Sequence, residues 1–440
     1  MLLMMSHRST DSLARELPSA ERSWLALLIR ACVSLGLVYG TYLVITQGVS
    51  LWHLRRQTLP KLVKAISWDP RNGGYYRARG RALQNSTENA EVSEAVRDYE
   101  TAVRLNPGRA KWWAELGGVY EWAGREAEAE RAFEKARELF PRSPEINWKL
   151  GNFYLRAGRR AKAFEALKRV QEGDPEMRRP VFDLAWRAGI EPAGILHELI
   201  PEETQTLLAY LDFLVETRHI DAAGEVWARL LASRHSFSAQ AAFPYLDALI
   251  QQGRPEELRN AWGDVRERVP GGARESSRHG SEITNGGFEE ELLNGGLDWR
   301  LIPAEGATIS LDTMNFSEGR RALRIDIGGR QNLAYSHVLQ FVPVRPNTGY
   351  RFLAYLRTQG ILSDSGPRIE IYDNGDRGRL FLSTADVRGT TSWVPRSVDF
   401  RTGAETRVLV VRIARPVSRS LDGRIAGTVW IDRVSLRAVE

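Results

Sequence analysis

The spacing of hydrophobic and polar residues changes twice along this chain of 440 residues. An uncharged apolar run at 31–52 is followed by apolar residues at helical spacing, and the C-terminal third alternates between apolar and polar residues. A period near 3.6 predicts amphipathic helices, whereas a period of 2 predicts half-buried strands. We therefore expect a multidomain protein with a tail at 1–22, an apolar helix at 23–52, all-α helical hairpins at 60–270, a linker at 271–280 and an all-β sandwich at 281–440.

The apolar run is long enough to cross a membrane as a single helix. Its 22 residues carry no formal charge, and at a rise of about 1.5 Å per residue they span a hydrocarbon core of about 30 Å. A cleaved signal peptide is the alternative. The run is longer than the usual apolar part of such a peptide, and no small-residue cleavage site precedes Leu51 and Trp52. The sequence therefore favours a retained transmembrane helix.

A period of 34 residues is the strongest internal signal in the chain. The central unit has Trp113, Leu116, Gly117, Tyr120, Ala129, Phe133, Ala136 and Pro141; one period later stand Leu150, Gly151, Tyr154, Ala163, Leu167, Val170 and Pro175, and one period earlier Ala95, Tyr99, Ala102 and Pro107. This spacing resembles that of tetratricopeptide repeats. The resemblance implies helix pairs that stack into a solenoid and bind protein partners.

The repeated residue types have a physical explanation. Gly117 and Ala129 are small where the two helices of one pair approach closely, whereas Phe133 supplies apolar surface that a single pair cannot bury. Weaker helix pairs follow at 211–230 and 246–270, and the period is lost between 175 and 201. Three histidines of the helical region have no second ligand type at a metal-binding spacing, so we interpret them as ordinary residues: His197, His219 and His235.

The C-terminal region carries eight or nine short runs of alternating or β-branched residues, separated by turn sequences such as DNGD at 373–376. This pattern predicts two packed sheets in a jelly roll. Four segments resemble carbohydrate-binding modules that accompany xylanases and cellulases: NGGFE at 285–289 followed by Trp299, SEGRRALRI at 317–325, QFVPV at 340–344 with TGY at 348–350, and VWIDRVSL at 429–436. The resemblance covers nearly the whole region.

The resemblance implies a structural calcium site. In that family a Glu of the first strand and an Asp of the last strand commonly bind calcium, and Glu289 and Asp432 occupy those positions. The family often has a second acid after the Asp, whereas this chain has Arg433. The alternative is that Asp432 only caps a turn through its carboxylate.

The resemblance also implies a glycan site, because such modules bind sugars with aromatic rings and planar polar side chains. If Ile369 and Ile371 face the core, the residues between and after them face outward. A place in the core or at a sheet edge is the alternative for each aromatic candidate. The candidates are Tyr335, Tyr355, Arg357, Glu370 and Tyr372.

Composition and motifs argue against several other classes of function. The net charge of +6 is modest, and arginines are spread along the chain without a nucleic-acid-binding motif. The single Cys32 excludes an intramolecular disulfide and a multi-cysteine metal site. No nucleophile elbow, phosphate-binding loop or zinc-protease motif is present. We therefore expect neither an enzyme nor a nucleic-acid-binding protein.

Two functions remain. The first is a membrane-anchored scaffold that binds proteins through the repeats and a glycan through the sandwich, in polysaccharide synthesis or export at the cell envelope. The second is an assembly subunit of a membrane complex, whose sandwich binds protein rather than sugar. Arginines flank the apolar run on both sides and leave its orientation open. A glycan-binding sandwich favours a cytoplasmic N-terminus in the inner membrane and a periplasmic or extracellular body.

Overall fold

The computed structural model describes residues 28, 30–42, 44, 59–84, 89–233, 236–268, 280–420 and 423–439. These residues form two compact units that divide between Met177 and Arg178. We call them the N-terminal unit and the C-terminal unit. His235 and most of the predicted linker lie outside the described residues.

Residues 30–42 form a helix at the start of the described chain. Among the described residues, no helix is both long enough and apolar enough to cross a membrane. The predicted transmembrane helix at 23–52 lies partly outside the described residues, and the tail at 1–22 lies wholly outside them. The transmembrane part of the predicted fold therefore has no support in the described part of the chain.

The rest of the N-terminal unit consists of antiparallel helix pairs. Its helices are α1 (Leu59–Trp68), α2 (Gly73–Leu83), α3 (Asn89–Leu105), α4 (Ala110–Trp122), α5 (Glu126–Leu139), α6 (Pro144–Arg156) and α7 (Arg160–Gly173). The predicted pairs α4–α5 and α6–α7 are present, and Gly124 and Gly158 end their first helices with φ of 72° and 70°. Such left-handed residues favour glycine, which lacks a Cβ.

Close approach at glycine defines each pair. A Cβ placed on Gly117 would lie 2.8 Å from the Phe133 ring, and one on Gly151 would lie 2.7 Å from Leu167. The same relation joins Gly80 of α2 to Tyr99 of α3, where the distance would be 2.8 Å. This pair lies within the predicted helical region at 60–270, and its second helix carries the motif residues Ala95, Tyr99 and Ala102.

The C-terminal unit combines helices with the sandwich. Its helices are α8 (Arg178–Arg187), α9 (Thr204–Glu216), α10 (Ile220–Ala232), α11 (Ala239–Gln252) and α12 (Pro255–Arg268), with short helical turns at Pro192–Gly194 and Ile195–Leu199. In its helical core the Phe182 ring packs edge to face against Tyr210 and Phe213, which are stacked on each other, with ring centroids 5.1 to 6.0 Å apart. This core lies where the sequence period is lost, so aromatic packing replaces the repeat motif.

Two five-stranded antiparallel sheets form the predicted sandwich. Sheet A has the order β1-β4-β9-β6-β7 and sheet B has the order β2-β3-β10-β5-β8. Alternating residues of both sheets fill the interior, including Leu323, Phe352 and Val411. The strands are β1 (Arg300–Leu301), β2 (Ala307–Asp312), β3 (Ala322–Gly328), β4 (Tyr335–Pro343), β5 (Gly349–Ile361), β6 (Arg368–Asp373), β7 (Phe381–Ser383), β8 (Gly389–Arg401), β9 (Val408–Arg415) and β10 (Ala426–Val439).

The pair α11–α12 packs against the sandwich. A Cβ on Gly296, whose φ is 58°, would lie 2.8 Å from Trp262 Cε3 and 3.1 Å from Leu246 Cδ1. Arg300 pairs with Asp247 of α11, and Arg266 of α12 donates two hydrogen bonds of 3.1 Å to the Glu290 carboxylate. The last helices and the sandwich thus share one packed boundary, although the sequence suggests a linker between them.

Our first prediction uses two adjacent glycines of α4. Gly117→Ala places a methyl group against Phe133, whereas a Cβ on Gly118 meets no atom within 4 Å. Gly118→Ala should gain up to about 1 kcal/mol from helix propensity, and Gly117→Ala should be less stable than that control by roughly 1–3 kcal/mol because of overpacking. Thermal melts of the two variants compare them directly. Equal midpoints would contradict close packing at Gly117.

Our second prediction concerns the boundary between α12 and the sandwich. Trp262→Ala should cost about 3–5 kcal/mol through the cavity it leaves. Because the ring packs on Gly296, hydrogen exchange should speed up both in α12 and in β1 and β4. Trp122→Ala, at an exposed tryptophan of the N-terminal unit, serves as the control and should leave those amides unchanged. Faster exchange confined to the helices would show that the sandwich is stable by itself.

Candidate functional site

Glu289 and Asp432 bind the same loop of the sandwich, at residues 317–321. The Glu289 Oε1 atom accepts hydrogen bonds from the amides of Arg320 (2.7 Å) and Arg321 (3.2 Å). Asp432 Oδ2 accepts from the amides of Ser317 (2.7 Å) and Glu318 (3.0 Å). The structure therefore brings the two acids together around one loop, as the resemblance implies.

The Asp432 carboxylate is shielded from solvent. Its side chain is fully buried, and its Oδ1 atom accepts a further hydrogen bond of 2.7 Å from the amide of Arg433. Burial raises the pKa of the Asp432 carboxyl, the amide hydrogen bonds oppose this rise, and the nearby Glu289 charge adds to it. Three backbone donors thus compensate this carboxylate.

This arrangement does not fit a calcium site. Calcium takes six to eight oxygen ligands, whereas three of the four carboxylate oxygens accept amide hydrogen bonds and the fourth, Glu289 Oε2, lies 3.5 Å from Arg320 Nε. The described residues contain no group of three acidic, histidine or cysteine side chains that could hold a metal ion. At Asp432 the three amide hydrogen bonds are those of a turn cap.

The sandwich offers a direct test of this conclusion. Asp432→Asn should destabilise the chain by about 1–3 kcal/mol, because it places an amide N–H₂ against backbone N–H donors. We expect the melting temperature of the wild type to be the same in excess calcium and in excess chelator. A calcium-dependent rise in the wild type that is absent from the variant would establish the metal site instead.

The five glycan candidates lie in three different places. Tyr335 belongs to the interior of the sandwich, where only 4% of it is exposed and burial raises the pKa of its hydroxyl. Tyr355 and Arg357 lie on the outer face of sheet B, because their neighbours Ala354 and Leu356 point into the core. The remaining two lie on the other sheet. The structure therefore does not bring the five together.

The rings of sheet B are covered by other side chains. The Arg433 guanidinium lies 4.5 Å from the centre of the Tyr355 ring. Arg357 lies 5.1 Å from the centre of the Trp430 ring and donates a hydrogen bond of 2.9 Å to Asn315. Trp430 itself is 3% exposed. These contacts hold the loop after β2 against the sheet and leave little ring surface open.

Glu370 and Tyr372 face outward from β6, as their spacing predicts. Ile369 and Ile371 point into the core, and Glu370 accepts hydrogen bonds from Arg412 Nε (2.9 Å) and Nη2 (2.6 Å). The pairing of β6 with β7 places Tyr372 opposite Phe381. These two rings are stacked at 28° with centroids 6.4 Å apart.

Helices cover one part of this outer face and leave another part open. Val408 and Val410 of β9 point away from the core yet are only 3% and 2% exposed. The pair α11–α12 lies on this side, where α12 contacts β4 and Arg300, bound to Asp247, lies 4.7 Å from the Phe341 ring centre. The rest of the face carries Glu370, Tyr372, Arg377, Phe381 and Arg412, which we call the β6–β7 patch. Its exposure is uneven, because Phe381 is 48% exposed and Glu370 only 6%.

Three residues of this patch were not predicted from the sequence: Arg377, Phe381 and Arg412. Phe381 lies in β7, whose three residues are too few for a periodic signal. Arg377 lies in the turn before β7, and its guanidinium is 4.2 Å from the centre of the Tyr372 ring. Arg412 becomes part of the patch only through the pairing of β9 with β6. A local hairpin thus supplies Tyr372, Arg377 and Phe381, and non-local strand pairing adds Arg412.

Comparison with known proteins identifies the helical repeats. Tetratricopeptide repeat models match residues 88–144 and 123–184. No curated protein matches the chain.

Among solved structures, the chain is similar to a thermophilic tetratricopeptide repeat protein of Thermus thermophilus (24% identity, 31% of this chain and 71% of that chain, TM-score 0.27). It is also similar to the module TmCBM61 in complex with β-1,4-galactotriose (16% identity, 36% of this chain and 99% of that chain, TM-score 0.26). A third structure is the enzymatically active domain of tailspike protein 4 of bacteriophage CBA120 (12% identity, 36% of this chain and 22% of that chain, TM-score 0.28). The chain therefore spans about a fifth of that domain. Similarity at this level assigns no ligand.

The chain contains tetratricopeptide repeats, and its all-β sandwich has carbohydrate-binding modules among its structural neighbours.

Proposed function

We propose that this protein is a non-enzymatic scaffold that binds a protein through its helical repeats and a saccharide through the β6–β7 patch. Repeat arrays and sandwiches of these kinds typically bind rather than catalyse. The observation that carries the saccharide part is the stacked pair Tyr372 and Phe381, in which Phe381 is 48% exposed and the Arg377 guanidinium lies over both rings. Aromatic surface beside planar polar groups suits the apolar faces and hydroxyl edges of sugars.

The protein-binding part rests on the surface of the repeats. Trp122 at the end of α4 is 42% exposed. In the same helix, a Cβ placed on Gly118 would meet no atom within 4 Å. Ion pairs join successive repeats, such as Arg156 to Glu121 (2.7 Å) and Lys111 to Glu145 (3.2 Å). An array held this way offers an extended surface to a partner, since each repeat packs only on its neighbours.

Membrane anchoring at 23–52 is a further part of the proposal. The described helix at 30–42 exposes its large apolar side chains, among them Leu35 at 70%, Leu37 at 67% and Val38 at 68%. Exposed apolar surface of this extent calls for lipid or another apolar partner. We place the N-terminus in the cytoplasm, the body outside the inner membrane, and the role in cell-envelope polysaccharide synthesis or export.

One observation favours a second candidate function. The sandwich already packs against protein on sheet A, where α12 contacts β4 and Arg300 of β1 pairs with Asp247 of α11. A sandwich used in this way is a protein-binding module, and the chain is then an assembly subunit of a membrane complex. The two functions differ in one measurable respect, because only the first requires a saccharide.

Our fourth prediction separates the two functions. A glycan array probed with the full chain should identify a saccharide, and titration calorimetry should then show that Tyr372→Ala weakens its binding about tenfold, which corresponds to about 1.4 kcal/mol. Tyr355→Ala is the matched control, since Tyr355 lies on the opposite sheet, and it should bind like the wild type. Equal loss in both variants would place the saccharide site outside the β6–β7 patch, and no saccharide bound at all would favour the assembly subunit.

A further inference from the structure

The ring faces of the β6–β7 patch are covered by a cation. The Arg377 guanidinium lies 4.2 Å from the centre of the Tyr372 ring and 5.0 Å from the centre of the Phe381 ring. Its side chain is 51% exposed. Arg412 lies 5.1 Å from the centre of the Tyr372 ring as well, whereas Phe381 is 48% exposed. A molecule that approaches this patch therefore meets the Arg377 guanidinium together with the exposed part of the Phe381 ring.

The turn that carries Arg377 is held firmly. Asp373 is 2% exposed, and its Oδ1 atom accepts hydrogen bonds from the amides of Gly375 (2.8 Å) and Asp376 (3.3 Å). Its Oδ2 atom accepts a hydrogen bond of 2.8 Å from the Thr406 hydroxyl. The stacking on two rings and this anchored turn together restrain the guanidinium, which reduces the entropy lost when a ligand binds it.

The hydrogen-bonding capacity of Arg377 is not used by the protein. Its ion pair with Glu370 is 3.7 Å long, which is beyond hydrogen-bond distance, and Glu370 already accepts two hydrogen bonds from Arg412. Within the described part of the chain, the Arg377 guanidinium donates no hydrogen bond. With two arginines and one acid, the patch has a net charge of one positive unit.

We infer that the ligand of the β6–β7 patch is an acidic saccharide, whose sugar carboxylate pairs with Arg377. This inference rests on the proposed saccharide function. A guanidinium presents planar, parallel N–H donors that match a carboxylate in two hydrogen bonds. A neutral sugar makes no such ion pair, and on Tyr372 it competes with the Arg377 guanidinium for the ring face.

The covered part of sheet A limits the length of the ligand. The open strands β9, β6 and β7 lie side by side, so their axes span about 10 Å at a strand spacing of about 4.8 Å. Beyond β9, the helices α11 and α12 cover the face. The patch therefore accommodates a short stretch of sugar units, and its affinity depends strongly on the one charged contact.

Binding of uronic acid oligosaccharides by the full chain tests the inference. The probes are trisaccharides of galacturonic, glucuronic and mannuronic acid, their methyl esters, and the neutral trisaccharides of the same sugars. At least one acid should bind about tenfold or more tightly than its ester and its neutral counterpart, as expected for a charged hydrogen bond. Arg377→Gln should abolish this preference, whereas Arg351→Gln, at an exposed arginine on sheet B paired with Asp399, should preserve it.

The outcomes distinguish the inference from the proposed function. Equal binding of acid, ester and neutral sugar, weakened by Tyr372→Ala but unchanged by Arg377→Gln, would overturn the acidic ligand and leave a saccharide site in place. Binding of no saccharide, in this set or on the array, would overturn both. Since Arg377 and the sugar carboxylate are exposed, raising the salt concentration should weaken the binding of the acidic sugar and leave the binding of its ester unchanged.

Discussion

The packing of Trp262 and Leu246 against the backbone at Gly296 is the contact on which the arrangement of the C-terminal unit depends. It works only because Gly296 has no side chain, and the residue also adopts a φ of 58°, which glycine tolerates. The contact seats α11–α12 on the sheet A side of the sandwich, where Val408 and Val410 become buried. Apolar residues on an outer sheet face would otherwise form an exposed hydrophobic patch.

This packing also decides where the sandwich is open. On sheet A the helices cover the outer face at β4 but not at the β6–β7 patch. On sheet B the guanidinium groups of Arg357 and Arg433 cover the Trp430 and Tyr355 rings. The stacked pair Tyr372 and Phe381 consequently lies at the edge of a protein-covered surface. A scaffold that binds sugar there holds its ligand beside its own last helices.

Backbone hydrogen bonds close the sandwich at its other end. Glu289 from the first segment and Asp432 from β10 both accept hydrogen bonds from amides of the loop at 317–321, and the side chains of Arg320 and Arg321 add contacts to Glu289. Three distant parts of the chain meet there. Gly319 leaves room for the Glu289 carboxylate, with a φ of 81°. The acids that the sequence suggests as metal ligands thus have a structural role in the described fold.

The spacing of apolar residues by itself determined the helices and strands of this protein, because each of them buries one face and that face is set by local spacing. The repeats at Gly117 and Gly151, the strand alternation, and the outward direction of Glu370 and Tyr372 all follow from the sequence. Sheet pairing and domain packing join residues far apart in the chain, and no local pattern records them. Arg377 and Phe381 belong to the same short hairpin as Tyr372, whose turn the sequence indicates. The tertiary structure alone placed Arg412 beside Glu370, put Tyr335 in the core, separated Tyr355 and Arg357 onto the other sheet, and packed α12 against sheet A.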